Sequence, residues 1–145
     1  MRFLLDVNVL IALAFPVHSL HNAAHAWFHT KPNKLWATCP ITQSGFLRVA
    51  SHQMGDSRDS IRQALSGLEL ACQQPGHEFW PLDVDLRSLP DAQRSRLLGR
   101  NQVADMQLLM LAHRHKGTLA TFDTGANALA IGTKYSQSIL ILQPD

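Results

Sequence analysis

Arg2-Phe3-Leu4-Leu5-Asp6-Val7-Asn8-Val9-Leu10 opens the chain with an apolar run, one acid and a second apolar run. The first run, Arg2–Leu5, does not alternate with polar residues, as expected of a strand covered on both faces. The second, residues 9–15, stops at Pro16, which cannot continue a helix. Asp6 therefore marks a strand-to-helix junction. Apolar strands and helical spacings continue to alternate downstream. Residues 35–38 read as a strand ended by Pro40, and residues 41–52 as a helix with Phe46, Leu47 and Val49 on its apolar side. Helical spacing also covers 19–30, and a helix from Asp56-Ser57 to Cys72 carries a stripe of Ile61, Leu65, Leu68 and Cys72. A turn at Gln74-Pro75-Gly76 leads to a short strand over 79–82, and 83–100 shows no clear pattern. Asn101 reads as the N-cap of a helix to Lys116 closed by Gly117. Residues 118–122 form a clear strand, 126–131 at most a short helix, and 138–142 a last strand. Strands in alternation with helices imply parallel βαβ units, so the expected fold is a three-layer α/β/α domain with a parallel sheet, one domain over residues 1–145.

The composition agrees with this. The 145 residues are 46% hydrophobic and 17% charged, a globular balance that excludes intrinsic disorder. No apolar run reaches the ~18–20 residues that span a bilayer. Asp6 follows too soon after Arg2 for a secretory leader, whose apolar region runs ~7–15 residues. The two cysteines, Cys39 and Cys72, do not make a disulfide framework, and a reducing cytoplasm is the expected compartment. The formal net charge is +2, and nine of the thirteen cations are arginine, whose guanidinium forks onto phosphate. With Asp6, Asp105 and Asp123 set aside as one site, the remaining charge is distinctly positive. That pattern suits a polyanion drawn towards an acidic pit.

In an open parallel sheet, ligands bind beyond the carboxyl ends of the strands. Asp6 ends the first strand, Asp123 follows the 118–122 strand, Asp105 lies in the first turns of the helix after Asn101, and Gln43 lies early in the helix after 35–38. Three carboxylates gathered at one edge repel one another and need a counter-charge. A hard divalent cation, Mg²⁺ or Mn²⁺, supplies it through oxygen ligands. No Cys/His cluster accompanies them, which argues against zinc. A metal so held activates water and stabilises phosphoryl charge, so phosphodiester hydrolysis is the reaction class that follows.

These motifs resemble the PIN-domain family, in particular its VapC-type toxins. The opening Phe3-Leu4-Leu5-Asp6-Val7-Asn8-Val9-Leu10 is similar to the family's first strand and its acid. Ala37-Thr38-Cys39-Pro40-Ile41-Thr42-Gln43-Ser44-Gly45-Phe46-Leu47-Arg48 resembles the second motif. Asn101-Gln102-Val103-Ala104-Asp105 and Leu119-Ala120-Thr121-Phe122-Asp123 resemble the third and fourth, and His77-Glu78-Phe79-Trp80-Pro81 a stretch of one branch. The resemblance implies a metal-dependent endoribonuclease toxin that cleaves RNA such as tRNA or rRNA. It implies a homodimer and a small VapB-type antitoxin whose tail occludes the site. The family's acids fall on Asp6, Asp105 and Asp123, with Asn8 and Thr121 in support. The family usually carries Glu where this chain has Gln43. Gln keeps a carbonyl oxygen but cannot be charged. Three readings follow: a branch that works with Gln, a weakened toxin, or a deliberate Glu-to-Gln replacement. The rival to the nuclease is a weakened PIN-like module that binds RNA or antitoxin without cutting.

Arg48, Arg94, Arg96 and Arg100 are the expected contacts to RNA phosphates, the last three crowding the segment before Asp105. His18, His21, His25 and His29 are spaced as one helical stripe opposite Ala23, Ala24, Trp27 and Phe28, and are expected to face solvent. His113 and His115 are expected to lie near a helix C-terminus, where the dipole favours cations. Trp27, Trp36 and Trp80 are too scattered for a base-stacking platform and are expected in packing.

Overall fold

The computed structural model describes residues 1–30 and 34–144. Five parallel strands form one sheet in the order β3-β2-β1-β4-β5. They are β1 (Arg2–Leu5), β2 (Leu35–Thr38), β3 (His77–Phe79), β4 (Thr118–Thr121) and β5 (Ile139–Ile141). The helices are α1 (Val7–Ala14), α2 (His21–His29), α3 (Pro40–Gln53), α4 (Ser60–Cys72), α5 (Asp91–Arg94), α6 (Gln102–Arg114) and α7 (Asn127–Ala130). In register, Leu4 lies beside Ala37 on one side and Leu119 on the other. Among the described residues no helix is long and apolar enough to cross a membrane.

β1 shows why the fold has three layers. Successive side chains on a strand point to opposite faces. Phe3 and Leu5 pack with Val9, Ile11, Phe46, Ala64 and Leu68 beneath α1, α3 and α4. Leu4 packs on the other face with Leu108, Leu111 and Ala112 of α6. Phe3, Leu4 and Leu5 are each at most 1% exposed, so beyond the exposed Arg2 this strand has no polar face to alternate with. A further cluster joins Met106, Leu109 and Met110 of α6 to Leu129 and Tyr135.

The central strands lie where the sequence puts them, and the details differ at the edges. β3 sits at 77–79, ahead of the expected 79–82, and Trp80, just after it, is 2% exposed and donates its backbone N–H to the Thr38 carbonyl at 2.9 Å. The unpatterned 83–100 segment holds a 3₁₀ turn at Leu86–Ser88 and the short α5. The α4 stripe is corrected: Ile61 and Leu65 are 46% and 51% exposed, while Ala64 and Leu68 are buried. α4 turns Ser60, Ala64 and Leu68 inward. The histidine stripe is corrected too. α2 begins only at His21, and His21 and His25 are half-buried, their ring nitrogens 2.8 and 3.1 Å from the carbonyls of Ala12 and Leu13. Those rings serve the exposed carbonyl end of α1 rather than facing solvent. At the end of α6, His115 stacks on Trp80 with ring centroids 4.2 Å apart, and Trp36 is likewise buried.

The C-terminus of α6 also closes differently from expectation. The residue in the left-handed region is Lys116, with φ 55°, and Gly117 donates its N–H to Ala112 at 2.8 Å. Glycine is required at 117 by space: a Cβ there would stand 2.9 Å from both the Arg2 carbonyl oxygen and the Trp80 ring. Overpacking against backbone typically costs about 1–3 kcal/mol, and Gly117→Ala is expected to lose that much, read as a lower Tm; an unchanged Tm would mean β1 yields without cost.

Candidate active site

Strand order reverses at β1: one crossover from it leads outward through β2, and the chain later returns to place β4 on its other side. The crevice beyond the carboxyl ends of β1 and β4 is the switch point of the sheet. Asp6 directly follows β1 and is the N-cap of α1, where its Oδ1 accepts the Val7 N–H at 2.7 Å. Asp123 lies just beyond β4 and accepts the Gly125 N–H at 2.8 Å through Oδ1. Asp105 comes from the first turn of α6. All three line one cleft of ≈ 410 Å³.

Thr121, the last residue of β4, ties the pieces together. Its hydroxyl donates to Asp6 Oδ2 at 2.7 Å. The same oxygen accepts from Asn8 Nδ2 at 3.1 Å and from the Asp123 N–H at 3.0 Å. Asn8 Oδ1 in turn accepts the Phe122 N–H at 3.2 Å. Asn8 and Thr121 thus lock the β1–α1 junction to the β4 exit and fix the separation of two acids from distant parts of the chain.

Electrostatics mark the cleft as short of positive charge. Burial, followed by the charges of Asp6 and Asp123, pushes the Asp105 carboxyl up to about 6. Burial also raises Asp6, with Asp123 adding to the shift, against the lowering effect of the Thr121 and Val7 hydrogen bonds. No three His, Cys, Asp or Glu side chains among the described residues form a ready-made cation cage. The aspartates share a cleft rather than a point, an arrangement that suits a hard cation keeping several of its waters.

The remaining sequence-predicted residues separate. Gln43 does not join the aspartates in the cleft lining; its Nε2 donates to Thr38 Oγ1 at 3.0 Å, at the carboxyl end of β2. Thr38 also meets His77 Nε2 at 2.8 Å. Arg94 and Arg96 are held by backbone carbonyls, Arg94 by those of Leu89 and Arg87 and Arg96 by that of Ala128. Arg48 and Arg100 are exposed, next in sequence to Val49 and Asn101, which line the cleft. Asn101 makes no side-chain cap, and Gln102 instead accepts the Leu98 and Gly99 N–H groups. His18, expected on a solvent-facing stripe, is half-buried and lines the aspartate cleft. The signal for this was Pro16, which ends α1 and so denies His18 the register of α2. A larger cavity of ≈ 610 Å³ beneath α1–α4 is almost wholly apolar and lies apart from these acids.

Comparison with known proteins places the chain as a whole. The PIN domain family model matches residues 3–132. Ribonuclease VapC44 of Mycobacterium tuberculosis is 39% identical over 142 residues, spanning 98% of this chain and 100% of the relative. Ribonuclease VapC39 of the same organism is 41% identical over 125 residues, 85% of this chain and 89% of the relative. Among solved structures, that of FitAcB from Neisseria gonorrhoeae superposes with a TM-score of 0.65, covering 98% of this chain and 97% of that one at 20% identity, and so shares the fold. With nearly the whole chain matched and the acids of its first, third and fourth motifs gathered in one cleft, the chain belongs to the PIN-domain family, among the VapC-type ribonucleases.

Proposed function

We infer that the chain is the endoribonuclease toxin of a toxin–antitoxin pair, cutting RNA with a divalent metal, Mg²⁺ or Mn²⁺. The observation that carries this is the trio Asp6, Asp105 and Asp123 at the switch point, whose mutual repulsion calls for a cation. Asp6, Asp105 and Asp123 would hold it. A divalent cation there supplies an acidified water and neutralises charge on the phosphoryl oxygens. The chain's own groups do the rest. Thr121 and Asn8 hold Asp6 and Asp123 in fixed relation, and the exposed Arg48 and Arg100 draw the RNA backbone over the rim. On this reading RNA such as tRNA or rRNA is the substrate, a small VapB-type antitoxin the partner, a homodimer the working form and the cytoplasm the compartment; the likeness to VapC-type ribonucleases supports it.

The rival reading, a binding module disabled by Gln43, has no observation in its favour. The aspartates assemble without Gln43, whose amide is engaged with Thr38. One experiment separates the two. Total RNA is incubated with the antitoxin-free chain and Mn²⁺ or Mg²⁺, with and without chelator, beside Gln43→Glu. Discrete fragments that require metal are expected from the wild type, with Gln43→Glu changing the rate only a few-fold. Intact RNA from the wild type, with cleavage restored by Gln43→Glu, would overturn the inference in favour of the disabled module.

A further inference from the structure

The three carboxylates create a difficulty for the substrate as well as a site for a cation. An RNA phosphate entering the cleft needs donors besides the metal, and among the described residues no lysine or arginine lines it. The side chains there that carry N–H groups are Asn8, Gln53, Asn101 and His18. Asn8 spends its amide on Thr121. Gln53 and Asn101 are exposed and make no side-chain hydrogen bond among the described residues, so neither is oriented in advance. His18 is different: it is half-buried, and its Nδ1 accepts the Leu20 N–H at 3.0 Å. That bond fixes the ring and its tautomer together. With the Nδ1 lone pair engaged, the ring proton resides on Nε2. Nε2 then has no lone pair for a metal, so His18 is a donor in this cleft and not a ligand.

We propose that His18 is a further substrate-binding residue, its Nε2–H donating to a phosphoryl oxygen of the RNA strand that lies across the aspartates. This rests on the nuclease reading above for the identity of the substrate. The loop that carries the residue is built for the task. Pro16 ends α1, and α2 starts only at His21, so His18 is free of both helical registers. A donor already oriented before binding loses less freedom when it engages the substrate.

Three measurements test it on the full chain. Nitrogen-15 NMR of the imidazoles is expected to find His18 in the Nε2–H tautomer; an Nδ1–H tautomer would overturn the proposal whatever the variants do. Binding of a total tRNA pool is then measured in Ca²⁺, and cleavage of the same pool in Mn²⁺. His18→Ala and His18→Asn are expected to weaken binding and raise KM roughly ten-fold, the scale of one charge-assisted hydrogen bond, with kcat changing less. His18→Gln, whose amide nitrogen reaches the position of Nε2, is expected to recover most of the loss. Wild-type binding by His18→Ala, or no recovery by His18→Gln, would show that the ring only packs. Failure of the two inferences looks different. RNA binding that depends on His18 without any cleavage sinks the nuclease and keeps this contact, whereas cleavage indifferent to His18 does the reverse.

Discussion

Asp6→Asn is expected to reduce metal-dependent RNA cleavage by roughly 10²–10³-fold while leaving the chain folded. Metal stabilisation of transition-state charge is worth several kcal/mol, and about 1.4 kcal/mol corresponds to each factor of ten. On the proposed function, the substitution would remove one anionic ligand and disturb the geometry that holds Asp123. Asp6 is buried, taking the Val7 N–H on one oxygen and the Thr121 hydroxyl on the other. An asparagine must turn its NH₂ towards one of those donors. Towards Thr121, it meets an oxygen that already accepts from Asn8 and Asp123, which fills both acceptor positions of a hydroxyl. Towards Val7, it sets donor against donor. Either mismatch costs about 1–3 kcal/mol, offset by relief from burying a charge whose neutral form the site already favours. The expected signature is therefore a small change in Tm beside a large loss of rate. Undiminished cleavage by a folded Asp6→Asn chain would remove Asp6 from the chemistry and, with it, the three-aspartate centre.

Which parts of this were legible in the sequence follows from where the deciding contacts lie. β1 and β2 were readable to the residue because a parallel strand covered on both faces leaves an uninterrupted apolar run. Asp6 and Asp123 were readable because each acid terminates such a run. Asp105 needed the helix after Asn101, which starts where the sequence puts it, although Asn101 caps it without a side-chain hydrogen bond. What sequence spacing missed was decided by side-chain partners that periodicity does not show, some of them only a few residues away. Arg94 and Arg96 look like a phosphate-binding pair until the Leu89, Arg87 and Ala128 carbonyls claim them. Ile61 and Leu65 fit an apolar stripe, yet α4 turns Ala64 and Leu68 inward. Gln43 stands in the motif where an acid is usual, and only its bond to Thr38 shows which way the side chain turns. His18 was absorbed into a helical period that Pro16 had already interrupted.

Asp105→Asn is expected to make the metal-free chain more stable and the metal-loaded chain no better, while abolishing cleavage. The sign follows from proton binding. The Asp105 carboxyl is raised from 3.8 to about 6 in the folded state, so between those values the folded chain holds a proton that the unfolded chain has released. Stability therefore falls as pH rises through that window and stays lower above it. Two pKa units correspond to at most about 3 kcal/mol. Asp105 is only partly buried, and solvent screening reduces this to about 1 kcal/mol, or roughly 3 °C in Tm for a chain of this size. Asparagine removes the penalty, so in chelator the Tm difference between variant and wild type should open between pH 4 and pH 6 and then stay constant. Taking the difference cancels the groups that do not interact with Asp105 and leaves its own carboxyl with the coupled Asp6 and Asp123. Adding Mn²⁺ or Mg²⁺ at neutral pH should reverse the order, because ligand binding to the folded state stabilises in proportion to RT ln(1 + [L]/Kd) and the variant has lost a ligand. A variant that gains nothing in chelator, or that gains as much from metal as the wild type, would place Asp105 outside the charged cluster. Both changes together would show that the chain keeps a destabilising carboxylate at the mouth of α6 because the cation needs it there.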